Sequence, residues 1–243
     1  MTKLLEVQNI TKKFGGLTAL NRVSFHLEEG EVLGLIGPNG SGKTTLFNII
    51  MGDLFPDYGK VFFKGDDISK LPPHQRVRKG IARTYQVPRP FKEMTVFEGV
   101  RVAALSPSII GCLNREVMVH GPEIRKLLEE IGLVERLSMY PDELTMGDLR
   151  RVELARALVT KPRIVLLDEI FAGLTVAEIE EIDKLLKRKV KEEGLDFVII
   201  SHDLKALSPL VSRVMVINFG QLIAEGSFDQ VINDEKVKEV YLG

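Results

Sequence analysis

The sequence predicts an α/β protein built on a parallel sheet that is covered on both faces. Three observations carry that prediction. Several runs too short for helices, VLGLIG (32–37), RIVLL (163–167) and FVIIS (197–201), are apolar almost throughout, as strands buried on both faces are. They alternate with helix-period segments such as TTLFNIIMG, LRRVELARALV and VAEIEEIDKLLKRKVKEEG. The first of these strands also runs straight into a glycine-rich loop and then an apolar helix.

The remaining elements follow in order. LLEVQNI and VSFHLEE alternate apolar and polar residues, the pattern of short half-buried strands, with the turn-rich FGGLTAL between them. KVFFKG reads as another strand, PPHQRVRKG as a short helix with proline near its start, and GIARTYQ as a strand closed by Gln86. From about Pro88 to Tyr140 the rhythm changes. Pro88, Pro90 and Pro107 precede PEIRKLLEEIGLVERL, whose apolar spacing at Ile124, Leu127, Leu128 and Ile131 is helical. This stretch is expected to be an inserted helical subdomain. VMVINFGQLIAEG reads as a hairpin, and the residues from Ser227 to Gly243 as two short helices.

Composition excludes several functions. A chain of 243 residues buries roughly 70–75% of its unfolded surface and stays folded without disulfides. Its one cysteine, Cys112, cannot form an intramolecular disulfide, which fits a reducing compartment. With 33 basic and 34 acidic residues, nothing marks a non-specific nucleic-acid binder. The N-terminal MTKLLEVQNITKKF does not read as a signal peptide, and no apolar run approaches the ~20 residues of a membrane span. Such a chain is no channel by itself, but it can dock on one.

The chemistry concentrates in a few segments. Gly37-Pro38-Asn39-Gly40-Ser41-Gly42-Lys43-Thr44 fits G-x-x-x-x-G-K-[ST]. In that pattern the glycines curl the backbone so that N–H groups face phosphates. Lys43 supplies a cation for the outer phosphates, Thr44 a hydroxyl for Mg²⁺, and the next helix its positive N-terminus. Asp168 and Glu169 end a buried strand, at the edge where open α/β sheets gather ligands. Asp168 there would help hold Mg²⁺, and Glu169 would polarise an attacking water. His202 follows the strand FVIIS and would reach the terminal phosphate, although a lone histidine more often caps a helix. Gln86 would offer its amide to the metal and the water. His26, His74 and His120 stand on segments expected to be exposed and are assigned no role.

Taken together, these residues resemble the ATP-binding subunit of ABC transporters over essentially the whole chain. Phe14 falls where the family stacks an aromatic ring on adenine. Gly37 to Thr45 is its Walker A segment, Gln86 its glutamine-loop residue, Asp168 and Glu169 its Walker B pair, and His202 its switch histidine. Leu144-Thr145-Met146-Gly147-Asp148 stands where the family has Leu-Ser-Gly-Gly-Gln. The resemblance implies a single domain over 1–243, with a RecA-like P-loop NTPase core. It also implies an antiparallel β-subdomain near the N-terminus and a helical subdomain inserted at about 88–158. ATP and Mg²⁺ are the implied ligands. Two subunits would close head to tail on two ATP, with Thr145 and Gly147 meeting the partner's nucleotide. The implied partners are integral membrane permeases and a second ATPase subunit, identical or not. A solute-binding protein would be involved only indirectly, nucleic acid not at all, and the setting would be the cytoplasmic face of the cell membrane.

Within the family, RTYQVPRPFKEMTVFEGV, LLDEIFAGL and the ending VKEVYLG most resemble branched-chain amino acid importers. The ATPase of lipopolysaccharide export is also similar, and a soluble ABC ATPase of assembly, or a regulatory module that barely turns over, are the other readings. Four departures from the family pattern bear on turnover: Met146 and Asp148 in the signature, Ile170 after the Walker B glutamate, and Thr175 in the D-loop. A carboxylate at Asp148 is expected to lie close to a phosphate and weaken the trans contact.

Overall fold

The computed structural model describes residues 3–105 and 121–242. The sequence expectations for Pro107, Cys112 and His120 therefore lie outside the described residues. The chain opens with β1 (Lys3–Phe14) and β2 (Leu17–Glu28), a hairpin turning at Gly15 and Gly16. Both strands are longer than the short runs expected, 12 residues each. Irregularities in their pairing restore the inward-facing alternation after it lapses, between Val7 and Ile10 for example, so the ladder continues past the interruption.

Next come β3 (Val32–Ile36), α1 (Lys43–Met51), β4 (Tyr58–Phe63), β5 (Asp66–Asp67), α2 (Pro73–Lys79) and β6 (Ile81–Arg83). Helices α3 (Val96–Ala104), α4 (Gly121–Glu130) and α5 (Met146–Leu158) fill the span before β7 (Ile164–Asp168). The chain closes with α6 (Val176–Glu193), β8 (Asp196–Ile200), α7 (Leu204–Leu207), β9 (Arg213–Asn218), β10 (Gln221–Gly226), α8 (Phe228–Asn233) and α9 (Glu235–Leu242).

These strands make two sheets. The first is antiparallel, in the order β2-β1-β4-β5. The second has the order β10-β9-β3-β8-β7-β6, parallel except where β10 folds back on β9. Every residue of β3, β7 and β8 is buried, as the apolar runs predict. One face of this sheet carries Leu33, Leu35, Leu166, Val198 and Ile200 against α1 and the antiparallel sheet. The other carries Val165, Leu167, Phe197 and Ile199 against α5 and α6. Helix α1 is therefore sandwiched between the two sheets, and its first turn stands at the carboxyl ends of the parallel strands.

Two expectations need correction. GIARTYQ is a strand only over Ile81–Arg83. It is an edge strand paired with β7 alone; after Thr84, whose N–H still donates to the Leu166 carbonyl at 3.0 Å, the chain leaves the sheet, and Gln86 is exposed. The helix expected over PEIRKLLEEIGLVERL ends at Glu130, because Gly132 adopts φ 77° and turns the chain out. A 3₁₀ turn, Val134–Arg136, follows it.

Arg76 of α2 is completely buried and holds the end of α1. Its guanidinium donates to the carbonyls of Ile49 and Ile50 at 2.6 and 2.9 Å, and to those of Leu71 and Ser69 at 2.8 and 3.1 Å. Burial lowers its pKa to about 10, so it stays charged at neutral pH. A substitution Arg76→Met removes every one of these donors from buried carbonyls, of which Ile49 keeps only the Gly52 N–H at 3.2 Å. It is expected to lower unfolding free energy by more than about 3 kcal/mol, with Arg76→Lys recovering only part, as read by urea denaturation.

Candidate functional site

The loop between β3 and α1 is shaped by its glycines. Gly37, Gly40 and Gly42 take φ of 151°, 76° and 111°. A Cβ on Gly37 would stand 2.0 Å from the Ile217 carbonyl oxygen, and one on Gly42 2.6 Å from that of Ala19. The loop thus threads between β9 and β2 with room for backbone only. The Gly220 N–H donates to the Ser41 carbonyl at 2.9 Å and the Asn21 N–H to the Gly220 carbonyl at 2.8 Å, binding both neighbouring strands to it. Lys43 is 6% exposed, and its ammonium donates to the carbonyls of Gly37 and Pro38 at 2.8 and 2.9 Å. Burial lowers its pKa, against the pull of Glu169 and Asp168. The Ser41 hydroxyl is buried in the loop without a hydrogen-bond partner. A buried hydroxyl without a partner beside the uncapped N-terminus of α1 is donor chemistry that suits an anion.

The loop floors an open cavity of about 390 Å³. Lining it are Asn39 to Thr45, with Phe14 from the hairpin tip, Gln86 from beyond β6, Asp168 and Glu169 from the end of β7, and His202 from beyond β8. Gly37 and Pro38 stand behind as the loop's hinge on β3 and as acceptors for Lys43. Phe14 is 45% exposed, a flat apolar face at the rim with the Lys12 ammonium 5.7 Å from its ring centre.

Glu169 is held in an uncommon conformation. Its φ is 55°, in the left-handed region, and its side chain is nearly buried. Its N–H donates to the Ile200 carbonyl at 3.0 Å, and its carbonyl accepts from Arg150 at 2.5 Å. His202 approaches its carboxylate with Nε2 at 3.5 Å from Oε1 and its backbone N–H at 3.4 Å from Oε2. Burial raises the Glu169 pKa, and the nearby His202 partly counters it. A carboxylate that takes up a proton more readily than usual and faces a cleft has the properties of a general base.

Thr145 and Gly147 do not line this cavity; they begin α5. The Thr145 hydroxyl accepts the Asp148 N–H at 3.1 Å and donates to the Asp148 carboxylate at 2.9 Å, a reciprocal cap. The Asp148 carboxylate is engaged through Oδ2 by its own helix start, 8% exposed and 3.7 Å from Arg136. Gly147 is buried within the chain: a Cβ there would stand 3.2 Å from Leu174 and 3.3 Å from Glu178. Met146 is 53% exposed. Thr175 is likewise a cap, accepting the Glu178 N–H at 3.4 Å and donating to its carboxylate at 2.8 Å.

Sequence reasoning passed over four features of the site. Arg83 pairs with Asp168, Thr84 accepts the Asp168 N–H, Arg150 holds the Glu169 carbonyl, and the turn Phe219-Gly220 closes one wall. An arginine ending an otherwise apolar strand, IAR, was the available signal for the first.

Residues 20–172 match the family model for the ABC transporter, and residues 221–243 one for the branched-chain amino acid ATP-binding cassette transporter. The chain is 37% identical to the high-affinity branched-chain amino acid transport ATP-binding protein BraF of Pseudomonas aeruginosa, over 99% of this chain and 98% of that one. It is similar to a crystal structure of an ATP-binding cassette of an ABC transporter in its ADP conformation, with TM-score 0.87 and 34% identity over 100% of both chains. It is also similar to a dimeric post-hydrolysis cassette bound to ADP and phosphate, with TM-score 0.80 and 26% identity over 92% of this chain and 98% of that one.

The loop geometry predicts graded losses. Gly40→Ala, with φ 76° but open space around the new methyl, is expected to cost only the left-handed penalty of about 1–2 kcal/mol. Gly42→Ala, 2.6 Å from a backbone oxygen, is expected to cost at least about 1 kcal/mol more and to abolish nucleotide binding, by denaturation and calorimetric titration.

Proposed function

The chain belongs to the ABC transporter family as an ATP-hydrolysing cassette, and from that membership we propose that it powers import of branched-chain or similar amino acids. The single observation that carries the catalytic part is the convergence of Phe14, the Gly37–Thr45 loop, Asp168, Glu169 and His202 on one cleft. The C-terminal match and the relatives' names support the amino-acid class.

In this reading Phe14 takes the adenine face and the loop N–H groups take the phosphates. Lys43, already a donor to two loop carbonyls, turns its charge to the outer phosphates. Thr44, Gln86 and Asp168 would hold Mg²⁺. All three offer oxygen atoms on the same cleft, the donor type that magnesium prefers, with phosphate oxygens and water completing its shell. Among the described residues no cluster of three His, Cys, Asp or Glu forms a dedicated metal cage, which suits an ion that arrives with its nucleotide. The ion would neutralise charge on the transferred phosphoryl group. Glu169 takes the proton of the attacking water, while His202 orients that carboxylate and faces the terminal phosphate.

ATP would draw two cassettes together head to tail, each Thr145 end of α5 turned to the partner's nucleotide. The segment from about Val87 to Val100 would pass the motion to a membrane permease at the cytoplasmic face. Val87 is 70% exposed and Phe91 40%, an apolar surface available for that contact. Among the described residues no helix is long and apolar enough to cross a membrane.

Glu169→Gln is expected to retain ATP binding, slow hydrolysis by about 10²–10⁴-fold, and accumulate an ATP-bound dimer, seen by light scattering. Wild-type turnover in that variant removes the assigned role. The ionised form of Glu169 is the active one, and burial raises its pKa. Activity is therefore expected to fall on acidification at a pH above the ordinary glutamate range. His202→Ala removes an influence that lowers this pKa, so the acid limb should move further up; stopped assays across pH read both.

A further inference from the structure

Arg83 ends β6 with its guanidinium 3% exposed, deep behind the cleft. Its Nη2 donates to Asp168 Oδ2 at 2.9 Å. Its Nη1 donates to Asn48 Oδ1 at 2.5 Å and stands 3.5 Å from Asp53 Oδ2, so the fork spans from α1 to the end of β7. The guanidinium carbon lies 5.6 Å from the Phe47 ring centre and 4.9 Å from that of Tyr85, which restricts it further. The next residue grips the same acid by its backbone, the Asp168 N–H donating to Thr84 Oγ1 at 3.1 Å. Two consecutive residues, the last of β6 and the one after it, thus fix both the main chain and one carboxylate oxygen of Asp168. Asp168 lines the cleft, and among the described residues its hydrogen bond and ion pair to Arg83 use Oδ2 and not Oδ1.

We propose that Arg83 is a positioning residue for ATP hydrolysis: it clamps Oδ2 of Asp168 so that Oδ1 is presented, already oriented, to the nucleotide's magnesium ion. The proposal rests on the reading of Asp168 as the metal acid. Two effects of the guanidinium oppose each other. Its charge repels a divalent cation, so if charge dominated, removing it would tighten metal binding. Its grip sets the direction of a nearly buried carboxylate, so if orientation dominates, removing it weakens binding. The rigid fork, shared among Asp168, Asn48 and two rings, favours orientation.

The test is calorimetric binding of ATP at graded Mg²⁺ and in EDTA, a readout independent of turnover. Arg83→Met is expected to keep metal-free ATP affinity and to raise the Mg²⁺ concentration for half-maximal enhancement by about tenfold or more. Arg83→Lys should be intermediate. Asn48→Ala, which loosens one end of the clamp from a half-buried position, should give a smaller shift of the same sign. Unchanged or tighter Mg²⁺ dependence in Arg83→Met overturns the proposal. If Arg83→Met loses its circular dichroism signature of folding, unchanged dependence in folded Arg83→Lys and Asn48→Ala overturns it equally. Asp168→Asn separates the two levels: wild-type Mg²⁺ dependence there defeats the reading of Asp168 itself, whereas a loss there with no effect at Arg83 defeats only the clamp.

Discussion

The glycine loop between β3 and α1 is held at both ends by neighbouring strands. It leaves β3, yet its position is set by strands on either side. The Ile217 carbonyl presses on Gly37, the Ala19 carbonyl presses on Gly42, and Gly220 ties down Ser41 by a hydrogen bond. Side chains at those glycines would collide with main chain, which cannot move without moving a sheet. The shape of the loop is thus a property of how two sheets are joined around α1. Asp168, Glu169 and His202 share that rigidity, since they come from the carboxyl ends of β7 and β8, and β8 lies between β3 and β7 in the same parallel sheet.

Most of this was legible in the sequence because the signals were local. A doubly buried strand shows as an apolar run, and a phosphate loop shows as glycines at fixed spacing. The cavity accordingly gathers Phe14, the loop, Gln86, Asp168, Glu169 and His202, all of them named from the sequence. What escaped depends on neighbours remote in the chain. The end of β6 follows from its having a partner on one side only, which no window of seven residues reveals. The pairing of Arg83 with Asp168 joins positions 85 apart. Gly132 was visible as a breaker, but the apolar period running through it was read as continuous helix.

The departures in the signature and D-loop have a common local explanation. At positions 148 and 175 the side chains close helix caps, each a threonine and an acid three residues on. The same device begins α3 with Thr95 and Glu98. Residues that look anomalous against a family pattern are thus ordinary by the rules of helix starts. The Asp148 carboxylate accepts from the Thr145 hydroxyl and backbone N–H and sits near Arg136. Met146 and Ile170 are not accounted for by these caps.

The join between the two sheets also has a metrical side. Phe14 is at the tip of the β1–β2 hairpin, and β2 is fastened through Asn21 to the same Gly220 that holds Ser41. The aromatic face and the phosphate loop are therefore marks on one ruler, whose length cannot change while the sheets stay joined. In the proposed reading, a nucleotide would be gauged along it from base to phosphates. Molecules with the right phosphates but a missing or displaced ring would fit only one mark. Discrimination of that kind would need no hydrogen bond to the base, and it would tolerate exchange of one flat ring for another at position 14 more readily than any change in hairpin length.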